Sequence, residues 1–249
     1  MIVIETLKGK SVSEHRVEIV ERKGTGHPDY MCDSMMDAIS VALSREYIRE
    51  FGTILHHNID KSLLAAGMVE KRFGGGIVKK PIEMTIGDRA TFVASGRTIP
   101  VPDIAIDMAK KWLRKNMRFI DPEKHLKYNV ALASGSEELT DIFSRPGKCR
   151  GANDTSAAVG YYPLSHTEKV VFELERHLNS TSFKNKYPET GEDVKIMGLR
   201  KGENLDLTVA MPLLAGYVQS GNEYFEKKNI VHKEIVEFLG KYRELKTIE

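Results

Sequence analysis

The chain has 249 residues, 41% of them hydrophobic and 29% charged, which is enough apolar content to bury a core in one large or two small domains. Its 37 basic residues nearly balance 35 acidic ones, so no chain-wide positive field argues for a nucleic-acid partner. No long apolar run and no charged-then-apolar leader are visible, so no membrane partner and a cytoplasmic location are expected.

In chain order, the alternation at residues 16–21 predicts a strand. Residues 29–51 follow with Cys32, Met36, Ile39, Leu43 and Tyr47 at helical spacing, and Met31, Met35 and Met36 read as core. Strands are expected at 53–58 and 77–86, the second interrupted by Pro81, which demotes it towards a sheet edge. A helix at 102–117 presents Ile104, Met108 and Trp112 on one face, and its basic end, Lys110 to Arg118, reads as a solvated face. A strand at 125–133 closes this first half. The second half repeats the order: a strand at 157–162, then a helix opened by a Ser165/Glu168 capping box ahead of Val171, Leu174 and Leu178. Strands at 193–199 and 205–211 turn at residues 201–204, and a charged helix covers 222–245. The fold class is therefore α/β, built of two-layer β-α-β-β-α-β units with mostly antiparallel sheets and helices on one face. Residues 1–135 would form the first unit, and 136–249 a loop plus a second unit lacking its last strand.

Four polar segments carry the chemistry-bearing residues. Lys23-Gly24-Thr25-Gly26-His27-Pro28-Asp29 leads into the first helix, with proline suited to the first helical position, and helix N-termini attract anions. An anion beside Asp29 calls for a cation, which points to a magnesium nucleotide; an ordinary capped helix is the plain alternative. Neither better-known phosphate motif fits. Asp29 occupies the place of the third glycine of a dinucleotide fingerprint, and Ile4 that of the leading glycine of a P-loop. The other segments are Ser134-Gly135-Ser136-Glu137-Glu138, Gly151 to Ser156, and Gly191-Glu192-Asp193-Val194-Lys195. On a strand, Asp193 and Lys195 would share one side, able to hold a cation and a phosphate together, or simply form a solvated face. His56 and His57, being adjacent on a strand, would point to opposite faces and not share a metal. Cys32 and Cys149 are too far apart for a metal knuckle and read as packing residues. Residues 140–150, with a Pro-Gly turn between two candidate loops, read as either a lid or a plain connection.

The succession KGTGHPDYMCD, LHHNID, FGGGIVKKPI, GANDTSAAVGYYPLS and GEDVKIMGLR, from about Val17 onward, closely resembles the archaeal-type S-adenosylmethionine synthetases. The resemblance implies transfer of adenosyl from ATP to the sulfur of L-methionine, and hydrolysis of the released triphosphate to pyrophosphate and phosphate. It implies three such units about a pseudo-threefold axis, of which the third is absent here. It also implies Mg2+, with room for K+, and a homodimer or higher homo-oligomer. His27 would contact the leaving phosphate, Asp29 would ligate magnesium, Lys195 would hold triphosphate oxygens and Asp193 would order that corner. Ser134, Gly135, Ser136, Glu137 and Glu138 match a nucleotide loop, with Ser134 standing where the family pattern has glutamine. Asn153, Asp154 and Thr155 match a second loop, Asp154 facing the methionine amine or the nucleoside. The rival reading is a non-catalytic nucleotide-binding or oligomer-forming remnant of the same fold.

Overall fold

In a computed structural model, residues 2–6, 8–136, 141 and 160–242 are described. They form two compact units of mixed α/β architecture with antiparallel pairing and helices. One comprises the described residues of 1–27, 73–75 and 160–249; the other comprises 28–72 and the described residues from 76 to 136. The boundary expected at 135 lies against residues outside the described set, as do residues 157–159 of the strand expected at 157–162; residues 160–162 are not in a strand.

The first unit is built on strand β1 (Val17–Lys23), which pairs antiparallel with β9 (Lys195–Lys201), which in turn pairs with β10 (Asn204–Ala210). The β9–β10 hairpin turns at Gly202, whose φ of 61° lies in the left-handed region that glycine adopts freely. Helices α3 (His166–Leu178), α4 (Thr181–Lys186) and α5 (Gly221–Leu239) accompany this sheet. The capping box at the start of α3 forms, with Ser165 Oγ accepting from the Glu168 N–H at 3.1 Å and Glu168 Oε2 accepting from the Ser165 N–H at 2.7 Å. Val170, Val171, Leu174 and Leu178 of α3 bury against Val194, Ile196 and Leu205.

One expectation for this unit needs correction. The strand expected to open the first half does not join the other strands of that half; it completes the sheet of β9 and β10. Along it Val17 and Ile19 are exposed, whereas the covered side carries the buried Glu18 and the half-buried Arg22 and Val20, the last packing on the core. Ion pairing explains the charged residues there. Glu18 Oε2 accepts from Arg200 Nε at 3.1 Å, its other oxygen accepts from the Ser165 hydroxyl, and Arg200 also donates to the carbonyls of His15 at 3.0 Å and Gly202 at 3.1 Å. Arg22 Nε donates to the buried Glu175 at 2.7 Å. A buried charge is tolerable only when its hydrogen-bonding capacity is filled this way.

The second unit has a three-stranded sheet of order β2-β5-β8, with β2 (His57–Ala65) antiparallel and β8 (Leu126–Ser134) parallel to the central β5 (Ile82–Ala90). Pro81 therefore separates β4 (Gly75–Lys80) from β5 and does not weaken one long strand; β4 pairs in a hairpin with β3 (Met68–Arg72), and β5 is central, not an edge. A parallel neighbour for β5 requires a crossover, and α2 (Val101–Asn116) supplies it after a short β6–β7 hairpin (Val93–Ala94 and Arg97–Thr98). Helix α1 (Pro28–Phe51) buries Met31, Met35, Met36, Ile39, Leu43 and Tyr47, so the methionines are core, as their spacing suggests. On α2 the fully buried stripe is Val101, Ala105, Ala109 and Leu113, with Ile104, Met108 and Trp112 partly buried beside it. The small alanines permit close packing on α1. Lys110 and Arg114 each reach Glu123 at 2.6 Å, the solvated charged face read from the sequence. No helix among the described residues is long and apolar enough to cross a membrane.

Burial raises the Glu18 pKa, but the bonds from Ser165 and Arg200 outweigh it and hold the carboxyl below its ordinary 4.5. A depressed folded-state pKa contributes stability above the unfolded value and loses it as pH falls through the folded one. Glu18→Gln should therefore cost on the order of 3 kcal/mol at neutral pH. The gap from the unsubstituted protein should shrink below about pH 4.5. Calorimetric melting across pH 3–7 checks this, and a pH-independent gap would contradict the ionised pair.

Candidate active site

In the first unit, the segment Lys23 to His27 leaves the end of β1 and runs beside residues 192–194, which enter β9. The Gly24 N–H donates to Val194 O at 2.7 Å and the Gly26 N–H to Glu192 O at 3.0 Å, while a turn closes with His27 N–H on Gly24 O at 2.9 Å. Both glycines are dictated by packing. A Cβ at Gly26 would stand 2.5 Å from the Glu192 carbonyl carbon and 2.6 Å from the Asp193 nitrogen. One at Gly24 would stand 2.4 Å from Asn179 Nδ2 and 2.7 Å from Glu175 Oε1. The two motifs, remote in sequence, thus form one backbone assembly in which only glycine fits.

Its side chains make a charged cluster. Lys195 Nζ lies 2.7 Å from Glu21 Oε2, and Lys23 Nζ lies 3.9 Å from Glu21 Oε1. The Lys195 hydrogen bond, with Lys23 and His27 adding charge, holds the Glu21 carboxyl below the usual range. Lys195 is thus present at the site but engaged by an exposed carboxylate, a pairing of the kind that solvent and ligands exchange readily. Glu21 was not identified from the sequence, because its approach to Lys195 follows from the β1–β9 register, in which Lys23 faces Lys195. The expected strand geometry of Asp193 is corrected: β9 begins at Lys195, and Asp193 sits in a tight turn closed by Val194 N–H on Glu192 O at 2.8 Å. Asp193 is exposed there, so a two-residue strand period does not set its direction. His27 is half-buried.

In the second unit, Asp29 is exposed in the first turn of α1. Ser134 ends β8, its carbonyl accepting from Arg89 Nη1 at 3.2 Å, and Gly135 and Ser136 follow half-buried. Glu137, Glu138, Asn153, Asp154, Thr155, Cys149 and most of residues 140–150 lie outside the described residues. His57 opens β2 with Nε2 3.0 Å from Ser40 Oγ and Nδ1 3.0 Å from Leu55 O, beside a cavity of about 310 Å³ lined by Asp33, Asp37, Asn58 and Asp60. His56 is buried. Among the described residues no group of three or more His, Cys, Asp or Glu is gathered to cage a metal ion. Asp29 fits magnesium in another manner, as one exposed carboxylate, since this ion keeps waters and takes ligands from substrate phosphates.

Because the nearest atoms at Gly26 are backbone, Gly26→Ala should destabilise the protein by about 1–3 kcal/mol, the scale of overpacking. Gly221→Ala, which meets nothing within 4 Å at the start of α5, serves as the control and should be neutral or stabilising. Equal melting temperatures for the two variants would show that the loop accommodates a side chain.

The chain matches the family model described as S-adenosylmethionine synthetase (AdoMet synthetase) over residues 1–249. It is 44% identical over 239 residues to a probable S-adenosylmethionine synthase of Aquifex aeolicus, covering 95% of this chain and 60% of that protein. It is 44% identical over 242 residues to the S-adenosylmethionine synthase of Pyrococcus furiosus, again with 96% and 60% covered. The Saccharolobus islandicus enzyme of that name is 42% identical over 234 residues, with 92% and 58% covered. The chain thus spans about 60% of the length of these relatives. A solved structure of an unusual S-adenosylmethionine synthetase from Campylobacter jejuni aligns with a TM-score of 0.45 at 14% identity, covering 80% of this chain and 49% of that one. On the match over its whole length, the chain belongs to the S-adenosylmethionine synthetase family.

Proposed function

We propose that this chain carries the adenosyl-transfer chemistry of a methionine adenosyltransferase, acting on ATP and L-methionine. The observation that supports this reading most directly is the backbone joining of the KGTGH and GEDVK segments, which runs the chain from Lys23 to His27 beside the turn of Asp193 that enters β9 at Lys195. The reaction forms a bond from the methionine sulfur to C5′ of the ribose and breaks the C5′–O bond, whose electron pair leaves on triphosphate. A neutral thioether needs no general base, so the protein's work is alignment and stabilisation of departing negative charge. Alignment can lower such a barrier by roughly 7–11 kcal/mol, and preorganised donors at the leaving group add to it.

In this reading Lys195 exchanges Glu21 for triphosphate oxygens, and His27 donates to the oxygen that gains charge as C5′–O opens. Asp193 orders the loop beside them. Asp29 would hold magnesium, which when bound screens the phosphate charge. Subsequent hydrolysis of triphosphate to pyrophosphate and phosphate would use the same cationic groups. Soluble, homo-oligomeric behaviour is part of the proposal. Formation of S-adenosylmethionine from ATP and methionine is the deciding assay. ATP binding without product would favour the rival reading of a nucleotide-binding relative without turnover.

His27→Ala should lower kcat by about 10²–10³ while KM for ATP changes little, because the lost interaction strengthens mainly in the transition state. Steady-state kinetics of the protein in its full reading frame measures this, and an unchanged kcat would remove His27 from the mechanism. Asp29→Asn should abolish most of the magnesium enhancement of ATP binding, since a carboxylate is the hard ligand this ion prefers. Titration calorimetry with and without magnesium checks it; a full enhancement in the variant would reject the assignment.

A further inference from the structure

We infer that Lys184, a buried lysine of α4 outside every recognised motif, is a positioning residue that sets the relative placement of the His27 and Lys195 segments. Its residue is only 5% exposed. Nζ donates to Gly191 O at 2.6 Å and to Thr190 Oγ1 at 3.3 Å, with Met211 Sδ at 4.0 Å. Burying an ammonium is costly unless its donors are used, and a methionine would fill comparable space without that cost. Its 2.6 Å hydrogen bond goes to the Gly191 carbonyl.

That carbonyl belongs to the peptide leading into Glu192. A peptide group is planar, so fixing the Gly191 oxygen fixes the plane from which Glu192 departs. The next carbonyl, Glu192 O, receives the N–H groups of Gly26 at 3.0 Å and of Val194 at 2.8 Å. The Glu192–Asp193 peptide is also the surface on which Gly26 rests. Other bonds anchor the loop's outer side, Gly191 N–H on Pro212 O at 2.9 Å and Leu214 N–H on Glu189 O at 2.7 Å, and Thr190 Oγ1 donates to Tyr187 O at 2.8 Å. Lys184 supplies the inner hold. Its effect on chemistry runs through Glu192 and Gly26 to His27, and through Asp193 to Lys195.

This inference rests on the adenosyl-transfer reading for its kinetic consequence but not for its structural one, and the experiment separates them. Amide hydrogen exchange on Lys184→Met should accelerate at Gly26 by roughly tenfold or more, the scale of a lost charged hydrogen bond, with the Glu18 and Val20 amides, which face β9 in the ladder, little changed. In the full reading frame the same variant should lose kcat by roughly tenfold with KM for ATP and methionine nearly constant, the split expected of misplacement. Unchanged exchange at Gly26, or equal acceleration of all slow amides, overturns the positioning role whether or not the protein makes product. Selective exchange with unaltered kcat overturns its bearing on the site. Absence of product from the unsubstituted protein counts against the functional reading alone, because exchange still decides the hold on the loop. Should Lys184→Met not fold, Lys184→Gln, which keeps a donor without the charge, should show intermediate exchange, and parity with the unsubstituted protein would overturn the inference.

Discussion

The antiparallel register of β1 on β9 is the constraint from which the candidate site follows. Seven pairs, from Val17 opposite Lys201 to Lys23 opposite Lys195, bring the start of the chain to a hairpin that lies far along the sequence. Once that ladder is set, the chain leaving β1 and the chain entering β9 must run together, and the Gly24 and Gly26 amides extend the pairing beyond the regular strands. The ladder itself depends on two ion pairs that bind β1 to its surroundings from the covered side, Glu18 with Arg200 and Arg22 with Glu175. Glu175 then meets the Gly24 side of the loop through the Asn179 amide, which donates to its other oxygen at 2.9 Å. The charges that hold the sheet and the glycines that form the loop are therefore parts of one arrangement.

This arrangement explains why the glycines of KGTG do not behave as those of a phosphate cradle. In such a cradle the backbone is left open so that ligand oxygens can approach the N–H groups. Here the N–H groups of Gly24 and Gly26 are already committed to Val194 and Glu192, and the space a Cβ would need is filled by the protein itself. On the proposed function, anion binding here would therefore rest on side chains, with Lys23, His27 and Lys195 around Glu21, and not on the Gly24 and Gly26 amides.

What the sequence disclosed follows the range over which its physics acts. Helix α1, the α2 core stripe in outline, the Ser165 capping box and the β9–β10 hairpin are set by spacing and caps within a few residues, and each was readable. The partner of β1 was not, because the choice among strands is decided by distant residues. Nor was its covered side legible: Val17 and Ile19 are exposed, and beside Val20 that side carries Glu18 and Arg22, whose partners Arg200 and Glu175 lie far away in sequence. Pro81 misled for a related reason, since a proline between two strands reads like one within a strand until the parallel partner of β5 is known. The motif residues His27, Asp29, Asp193 and Lys195 were legible as chemistry-bearing types, whereas Glu21 and Lys184 became visible only through geometry.

Glu21 pairs with Lys195, so on the proposed function binding of triphosphate would be an exchange of partners for Lys195. On that reading a single monovalent anion would have to displace the carboxylate from Lys195 without replacing its contact to Lys23. A polyphosphate offers several oxygens at once and would engage Lys195, Lys23 and His27 together while the displaced carboxylate turns to solvent. On the proposed function Glu21 would thereby favour multiply charged ligands over simple ones, acting as a competing group beside the lysines.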